Sequence, residues 1–130
     1  MPTDLEFAAD GTFYVGFLGT GIAPGAGHIE HWSADGQTLI ETFGNLTAVT
    51  DIAIGQDGKL YAVQLLTQFG DQGPVPNTGN VVQVSADGVT PVAENLAQPY
   101  AIAQAPDGSW AVSINSAFAP PGTGAVIKLD

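Results

Sequence analysis

The sequence predicts an all-β fold built from three copies of an antiparallel, four-stranded unit. One segment recurs as PTDLEFAADGTFYV at 2–15, VTDIAIGQDGKLYAV at 49–63 and PYAIAQAPDGSWAV at 99–112. A second segment recurs as GHIEHWSADG at 27–36, GNVVQVSADG at 79–88 and GAVIKLD at 124–130. The segments alternate with the two-residue period of strands and lack the 3.6-residue period of a helix, so the chain reads as repeated β-structure.

Each unit is expected to hold four strands, A to D, which the second copy shows best. Strand A covers 49–55 and strand B covers 59–63. Asp57-Gly58 forms the tight turn between them, because glycine accepts the positive φ that such a hairpin needs. A loop rich in Gly and Pro leads to strand C at 80–85, and another Asp-Gly turn leads to strand D at 89–96.

Repeated four-stranded meanders of about 40–50 residues are typical of β-propeller blades. The copies predict blade 1 at 2–47, blade 2 at 48–97 and blade 3 at 98–130, the last without its outer strand. Since propellers close with about four to eight blades, this predicts half of a six-bladed propeller, completed as a homodimer. The alternative is the terminal piece of a longer chain. A β-sandwich is the runner-up fold, but it does not account for the repeat.

Composition narrows the classes of partner. Thirteen acidic residues stand against two lysines, Lys59 and Lys128, and the formal net charge is -11. Such a surface repels phosphate backbones and anionic lipid heads, so nucleic-acid and membrane partners are not expected. Cysteine is absent, which excludes disulfides and thiolate metal sites. No run approaches the ~20 apolar residues of a membrane span, and no signal peptide precedes the first repeat, so a processed or cut chain is expected.

The meander also predicts where a binding site lies. All five Asp-Gly pairs fall in A–B or C–D turns, which share one end of the units. The B–C loops, at about 17–27, 64–79 and 114–124, share the other end with the starts of the A strands. Binding residues usually lie on such loops, so a small molecule or protein is expected to bind there. The candidate binding residues are Thr3, Asp4, Thr50, Asp51, Tyr100 and Phe118.

Two of these residues, Asp4 and Asp51, are also candidate metal ligands. Both begin an A strand near the expected axis, and their hard oxygen atoms would suit Ca²⁺ or Mg²⁺. In the competing interpretation each carboxylate accepts hydrogen bonds from backbone N–H groups of its own turn, and no cofactor is expected. Ala101 in the third copy favours this second interpretation, because it interrupts the set of carboxylates.

The segment His28-Ile-Glu30-His31 is a further cluster of metal-ligating residue types. On a strand, His28 and Glu30 share one face and His31 lies on the other, so they do not converge on one ion. Glu30 stands where Val82 and Ile127 are expected to pack between blades, so it faces either water or an assembly partner. The aromatic residues of the B strands are expected to pack between sheets: Phe13, Tyr14, Tyr61 and Trp110.

Three segments carry a family resemblance. NLTAVTDIAIGQDGKLYAV, NLAQPYAIAQAPDGSWAVS and PPGTGAVIKL resemble the last three blades of ScyD/ScyE-type propellers, named after the cyanobacterial scytonemin gene cluster. The resemblance covers essentially the whole chain. It implies a secreted or extracytoplasmic binding or accessory protein, in a family without a well-defined catalytic role.

An enzymatic alternative is the metal-dependent hydrolase or lactonase propeller of the SMP-30/gluconolactonase type. Its pattern resembles PNGLAxSPDGxxLYxxD, in which the Asn and the final Asp are metal ligands. Here the Asn position holds Thr3, Thr50 and Tyr100. No Asp stands in the segments that follow the B strands, at 16–19, 64–67 and 113–116. The sequence therefore favours a non-catalytic binding module over this enzyme.

Overall fold

The predicted all-β architecture of antiparallel sheets is confirmed. The structure, a computed structural model, describes residues 1–129, which form three main sheets and one small hairpin. A single 3-10 turn, Thr20–Ile22, is the only helical element among these residues. The described part of the chain contains no helix of the length and hydropathy needed to cross a membrane.

Each main sheet is a meander of strands that pair with their neighbours along the chain. The first sheet holds β1 (Pro2–Phe7), β2 (Phe13–Phe17), β3 (Gly27–Trp32) and β4 (Leu39–Leu46). The second sheet holds β5 (Val49–Ile54), β6 (Leu60–Gln64), β9 (Gly79–Ser85) and β10 (Gly88–Leu96). A separate hairpin of β7 (Phe69–Gly70) and β8 (Gly73–Pro74) lies in the loop between β6 and β9. The third sheet holds β11 (Ile102–Gln104), β12 (Trp110–Ile114) and β13 (Ala125–Leu129). The strand bounds expected in the second copy are correct to within one residue, whereas the β7–β8 hairpin was not predicted.

Four of the five Asp-Gly turns contain a hydrogen bond to the side chain of their aspartate, in addition to the positive φ of glycine that the sequence predicted. Asp57 Oδ1 accepts the backbone N–H of Lys59 at 3.0 Å, and Gly58 has a φ of +76°. The aspartates of three other turns, Asp10, Asp35 and Asp107, accept the N–H two residues on at 2.9, 3.0 and 2.9 Å. Because a side chain would be strained at this φ, glycine fixes the place where each hairpin reverses.

Two apolar cores lie between the sheets. The core between the first and second sheets is formed by Ile29, Leu46, Val49, Ile52, Leu60, Ala62, Val82 and Val84. The core between the second and third sheets is formed by Tyr61, Val63, Val81, Ile102, Trp110 and Val112. Full burial of a side chain such as Val or Ile contributes about 1.5–3 kcal/mol, so these cores hold the three sheets face to face.

The expectation that the B-strand aromatics pack between sheets is confirmed for three residues and wrong for the fourth. Tyr61 and Trp110 are buried with ring centroids 4.7 Å apart, and Tyr14 packs against the first core. Phe13 points the other way, since it neighbours Tyr14 on β2 and strand side chains alternate. Its ring lies 5.6 Å from that of Phe7, on the side of the first sheet that no other sheet covers.

Gly79, at the start of β9, provides a test of how tightly the link to the third sheet is packed. A Cβ atom there would lie 2.2 Å from Pro99 Cδ and 2.7 Å from the Leu65 carbonyl oxygen. We expect Gly79→Ala to lower the free energy of unfolding in urea by about 1–3 kcal/mol, because backbone or a proline ring must move. Gly44→Ala on β4 is the matched control, since nothing lies within 4 Å of its Cβ position. Equal stability of the two variants would contradict this account.

Candidate functional site

The long loops gather at one end of the sheets, next to the segments that precede each A strand. The N–H of Leu65, at the start of the second loop, donates to the Ala48 carbonyl at 3.0 Å. The equivalent bonds join Leu18 to Met1 at 3.0 Å and Asn115 to Ala97 at 2.7 Å. We call this end the loop face; it comprises 18–26, 65–78 and 115–124 with the links 47–48 and 97–101. The six candidate binding residues lie on it or at the adjoining ends of β1 and β5.

Thr3 and Thr50 join neighbouring sheets through their hydroxyl groups. Thr3 Oγ1 donates to the Val49 carbonyl at 2.9 Å, with the Gly16 carbonyl 3.2 Å from the same hydroxyl. Thr50 Oγ1 donates to the Tyr100 carbonyl at 2.7 Å. Each threonine therefore reaches from the first strand of its own sheet to the chain entering the next sheet.

Asp4 and Asp51 make the second half of this link. Asp4 Oδ2 accepts the backbone N–H of Ile52 at 3.0 Å, and Asp51 Oδ2 accepts that of Ile102 at 2.6 Å. The carboxylates thus accept from backbone N–H groups of the next sheet, rather than from those of their own turn as the competing interpretation supposed. We call each Thr-Asp pair an inter-sheet link; Thr3-Asp4 joins sheets one and two, and Thr50-Asp51 joins sheets two and three.

The surroundings of Asp51, which include the Asp4 carboxyl, disfavour its charged form. Burial and the hydrogen bond with the Asp4 carboxyl raise the pKa of Asp51 to about 7, and the N–H of Ile102 opposes this shift. Burial, and then the charge of Asp4, also raise the pKa of Glu6 on the same strand as Asp4. The start of the first two sheets is therefore a locally crowded acidic region in which one carboxyl is protonated near neutral pH.

The geometry around Asp4 and Asp51 suits an inter-sheet link better than a metal site. Among residues 1–129 the structure contains no group of three or more His, Asp or Glu side chains placed to hold a metal ion. Ca²⁺ takes about 6–8 oxygen ligands, and its carboxylate ligands must be deprotonated. Asp4 and Asp51 offer two carboxyls that already accept backbone N–H groups, and the pKa of Asp51 is raised to about 7.

Tyr100 and Phe118 are the candidate residues whose side chains reach solvent. Their relative exposures are 45% and 72%. The backbone of Tyr100 is fixed on both sides, because its N–H donates to Ser113 at 3.1 Å and its carbonyl accepts from Thr50. Phe118 has a φ of +57°, a conformation uncommon for a large side chain. Two exposed rings therefore stand on the part of the loop face that belongs to the third sheet.

The residue that organises the loop face, Gln64, was not predicted. Its buried side chain accepts the N–H of Thr47 at 2.6 Å and donates to Asn80 Oδ1 at 2.9 Å. Thr47 in turn accepts the N–H of Gly25 at 2.9 Å. The equivalent positions in the other copies are Phe17 and Ile114, so the repeat gave no signal for this network.

The predicted split of the His28–His31 segment is confirmed. His28 Nε2 and Glu30 Oε1 are 3.3 Å apart, and Trp32 Nε1 donates to Glu30 Oε2 at 2.8 Å on the same face of β3. His31 lies on the opposite face, stacked on Tyr14 with centroids 4.1 Å apart. No single ion can bridge the two histidines in this arrangement.

A shallow groove of about 280 Å³ lies at the other end of the sheets. It runs between the Asp-Gly turns of the first and second sheets and is lined by Ala8, Ala9, Asp10, Tyr14, Ile54, Gly58 and Leu60. Its one carboxylate, Asp10, is already bonded to the hydroxyl and N–H of Thr12 at 2.6 and 2.9 Å. The groove is therefore separate from the loop face and has no free polar group positioned by a second residue.

Comparison with known proteins adds one structural likeness. No family model and no curated protein matches the chain. One similar solved structure is regucalcin from Agrobacterium tumefaciens, described as a calcium-binding protein, with a TM-score of 0.46 and 18% sequence identity. The match covers 98% of this chain and 60% of the regucalcin chain. A likeness of this degree assigns no function, and the chain spans less than two thirds of that protein.

The raised pKa of Asp51 predicts a pH-dependent stability. The folded pKa lies above the unfolded value of 3.8, so the folded chain holds a proton that the unfolded chain releases. Its contribution to stability is complete below about pH 3.8 and is lost as pH rises through about 7. We therefore expect the wild-type chain to lose more stability than Asp51→Asn between about pH 5 and about pH 8, a range that spans the folded pKa. The asparagine mimics the protonated carboxyl and does not titrate.

Urea unfolding of both proteins at the two pH values measures this difference. Asp87→Asn, at an exposed turn before β10, removes one negative charge without touching an inter-sheet link. It serves as the control for general charge repulsion in an acidic chain. If the free energy of unfolding depends on pH equally in Asp51→Asn and in the wild-type chain, the raised pKa of Asp51 is contradicted.

Proposed function

We propose that the chain is a non-catalytic propeller module that binds a small molecule or protein through its loop face. On this view the first and second sheets are complete blades and the third sheet is a blade without its outer strand. Two copies would then form a six-bladed ring. The three similar meanders and the equivalent inter-sheet links at Thr3-Asp4 and Thr50-Asp51 support this arrangement.

One observation carries the binding function: two exposed rings stand on the loop face. Tyr100 and Phe118 are exposed at 45% and 72%, and the backbone of Tyr100 is hydrogen-bonded on both sides. An exposed aromatic ring on fixed backbone offers contact area at little further entropic cost. Thr3, Asp4, Thr50 and Asp51 support the same surface from beneath, because they hold the sheets that carry it.

Three narrower statements stay predictions from the sequence. Membership of the ScyD/ScyE family and an extracytoplasmic location depend on the motifs alone. A metal-dependent hydrolase stays the alternative; it would require Asp4 and Asp51 as ligands, although both already accept backbone hydrogen bonds.

Binding at the loop face can be tested by NMR with defined probes. We would record amide spectra of the labelled chain with indole, phenol and a methyl glycoside, each at millimolar concentration. We expect at least one probe to shift amides of 97–101 and 115–124, and Tyr100→Ala/Phe118→Ala to abolish those shifts. Val89→Ala, which trims an exposed side chain on β10, is the control. Shifts confined to the Asp-Gly turns, or none with any probe, would overturn the proposed site.

The ring can be tested separately by light scattering after gel filtration. The chain mass is 13.3 kDa, so a ring of two copies has twice that mass, about 26 kDa. We expect the larger mass at micromolar concentrations, because each copy would otherwise leave two apolar sheet faces in water. A mass of 13.3 kDa at every concentration would rule out the ring.

A further inference from the structure

Two sheet faces have no sheet packed against them within the described chain. The open face of the first sheet is formed by Leu5, Phe7, Phe13, Val15, Phe17, His28, Glu30 and Trp32. The open face of the third sheet is formed by Ala103, Ala111, Ser113, Val126 and Lys128. In each of these two sheets, the open face is the one opposite to the face that packs into a core.

The internal repeat shows that both faces correspond to surfaces buried elsewhere in the chain. Leu5 is 47% exposed, whereas its equivalents Ile52 and Ile102 are 1% and 9% exposed. Val126 is 72% exposed, whereas its equivalents Ile29 and Val81 are both 0% exposed. Each internal interface is formed by two kinds of sheet face, and the described chain exposes one further face of each kind.

We propose that the open face of the first sheet packs against the open face of the third sheet of a second copy. The inference rests on the two-copy ring proposed above and names the surfaces that close it. Different faces meet at each contact, and a two-fold axis relates the two contacts that close a ring of two copies. Each would repeat the packing by which the second sheet covers the first and the third sheet covers the second.

Side-chain sizes on the two open faces are complementary. Tyr14 and Tyr61 fill the two internal interfaces, but the equivalent residue on the third sheet is the small Ala111. On the opposite side, Phe13 is aromatic like its equivalent Trp110, and Phe7 beside it is larger than its equivalents Ile54 and Gln104. The large ring of Phe7 on the first sheet would occupy the space that Ala111 leaves on the third sheet, as close packing across their contact requires.

Charge is also complementary across these faces. Glu30 stands where the other copies have Val82 and Ile127, and its side chain is only 22% exposed before any partner arrives. Glu30 accepts the Trp32 N–H and lies beside His28, but its charge would still be costly to cover without a cation, so its new neighbour should supply one. Lys128, one of two lysines in the chain, lies two residues from Val126 on the open face of the third sheet. Its only ion-pair contact in the described chain is an exposed one to Asp107 at 3.8 Å, which leaves it available.

The proposed contact lacks one feature of the internal ones. Tyr100 and Ala101 occupy the positions of the Thr-Asp pairs, so the third sheet carries no inter-sheet link for the sheet that would follow it. The contact between copies would therefore depend on apolar packing and the Glu30–Lys128 pair. This makes it the weakest of the sheet-to-sheet contacts and the one at which the ring separates.

A charge-swap experiment tests the pairing. Glu30→Lys and Lys128→Glu each place like charges at both contacts of a homodimer, so we expect each to raise the dimer Kd by at least about tenfold. An equimolar mixture of the two variants should recover the wild-type Kd. In the mixed dimer the two substituted side chains face each other with opposite charges at one contact, and the native Glu30 and Lys128 face each other at the other. Sedimentation velocity over a concentration series measures all three samples.

Controls carry the same charge changes elsewhere. Glu94→Lys on β10 and Lys59→Glu in an A–B turn are both at exposed positions outside the two faces. They should leave the dimer Kd unchanged. If the wild-type chain is a dimer and the substitutions at 30 and 128 leave the dimer Kd unchanged, this pairing is overturned and the ring is not. A wild-type monomer would overturn both, and would assign the faces to another segment of a longer chain.

A gain of affinity provides a second readout if the swapped variants fold poorly. Ala101→Asp restores the acceptor that Asp4 and Asp51 supply to Ile52 and Ile102, and in the proposed contact it would reach the N–H of Leu5 in the second copy. We expect the dimer Kd to fall by at least about tenfold, because the homodimer gains one charge-assisted hydrogen bond at each of its two contacts. An unchanged or higher Kd would show that the two faces do not meet in the register of the internal interfaces.

Discussion

The link between the first strands of neighbouring sheets is the constraint on which this architecture depends. Within each sheet, ladder hydrogen bonds hold the strands, but on its inner side the first strand has no neighbouring strand to satisfy its backbone groups. Asp4 and Asp51 accept the N–H groups of Ile52 and Ile102. Thr3 and Thr50 donate to carbonyls just before those strands. Apolar cores bring the sheets together without direction, whereas these four side chains fix how far one sheet is displaced from the next.

The same constraint concentrates negative charge. A link at each first strand brings successive carboxyls together near the inner edge, in a chain whose net charge is already -11. Like charges at short range disfavour ionisation of both groups, and burial adds to that effect. The raised pKa of Asp51 follows from its structural role, so an unusual pKa here is not by itself a sign of catalysis. A buried carboxyl that faces another carboxyl is better accommodated when it is neutral.

The sequence predicts what local chemistry and the repeat determine. Asp57-Gly58 places a hairpin because the turn is formed within a few residues, and β5, β6, β9 and β10 follow from alternation and spacing. The partner of Asp4 could not be predicted in this way, since Ile52 lies 48 residues further along the chain. Gln64 was missed because its network appears in one copy only, and the β7–β8 hairpin because two-residue strands carry no periodic signal. No sheet of the described chain covers Phe13, because it lies on the outer face of an end sheet, and the repeat alone does not show which sheet comes last.

In the third copy, the residue at the threonine position of the link has a different role from its equivalents. At the threonine position of the link, the first two sheets carry Thr3 and Thr50, whose hydroxyls are used within the protein. The third sheet carries Tyr100 there; its carbonyl receives the bond from Thr50, while its ring remains 45% exposed. The backbone carbonyl of Tyr100 thus takes part in the link between the second and third sheets, whereas its side chain does not. Ring closure and ligand binding would then draw on the same short segment, 99–101, so a ligand held by Tyr100 would sit at the one sheet boundary that no link secures. Binding there would be coupled to assembly wherever the ligand touched both copies, by differential affinity for the closed ring over the free half.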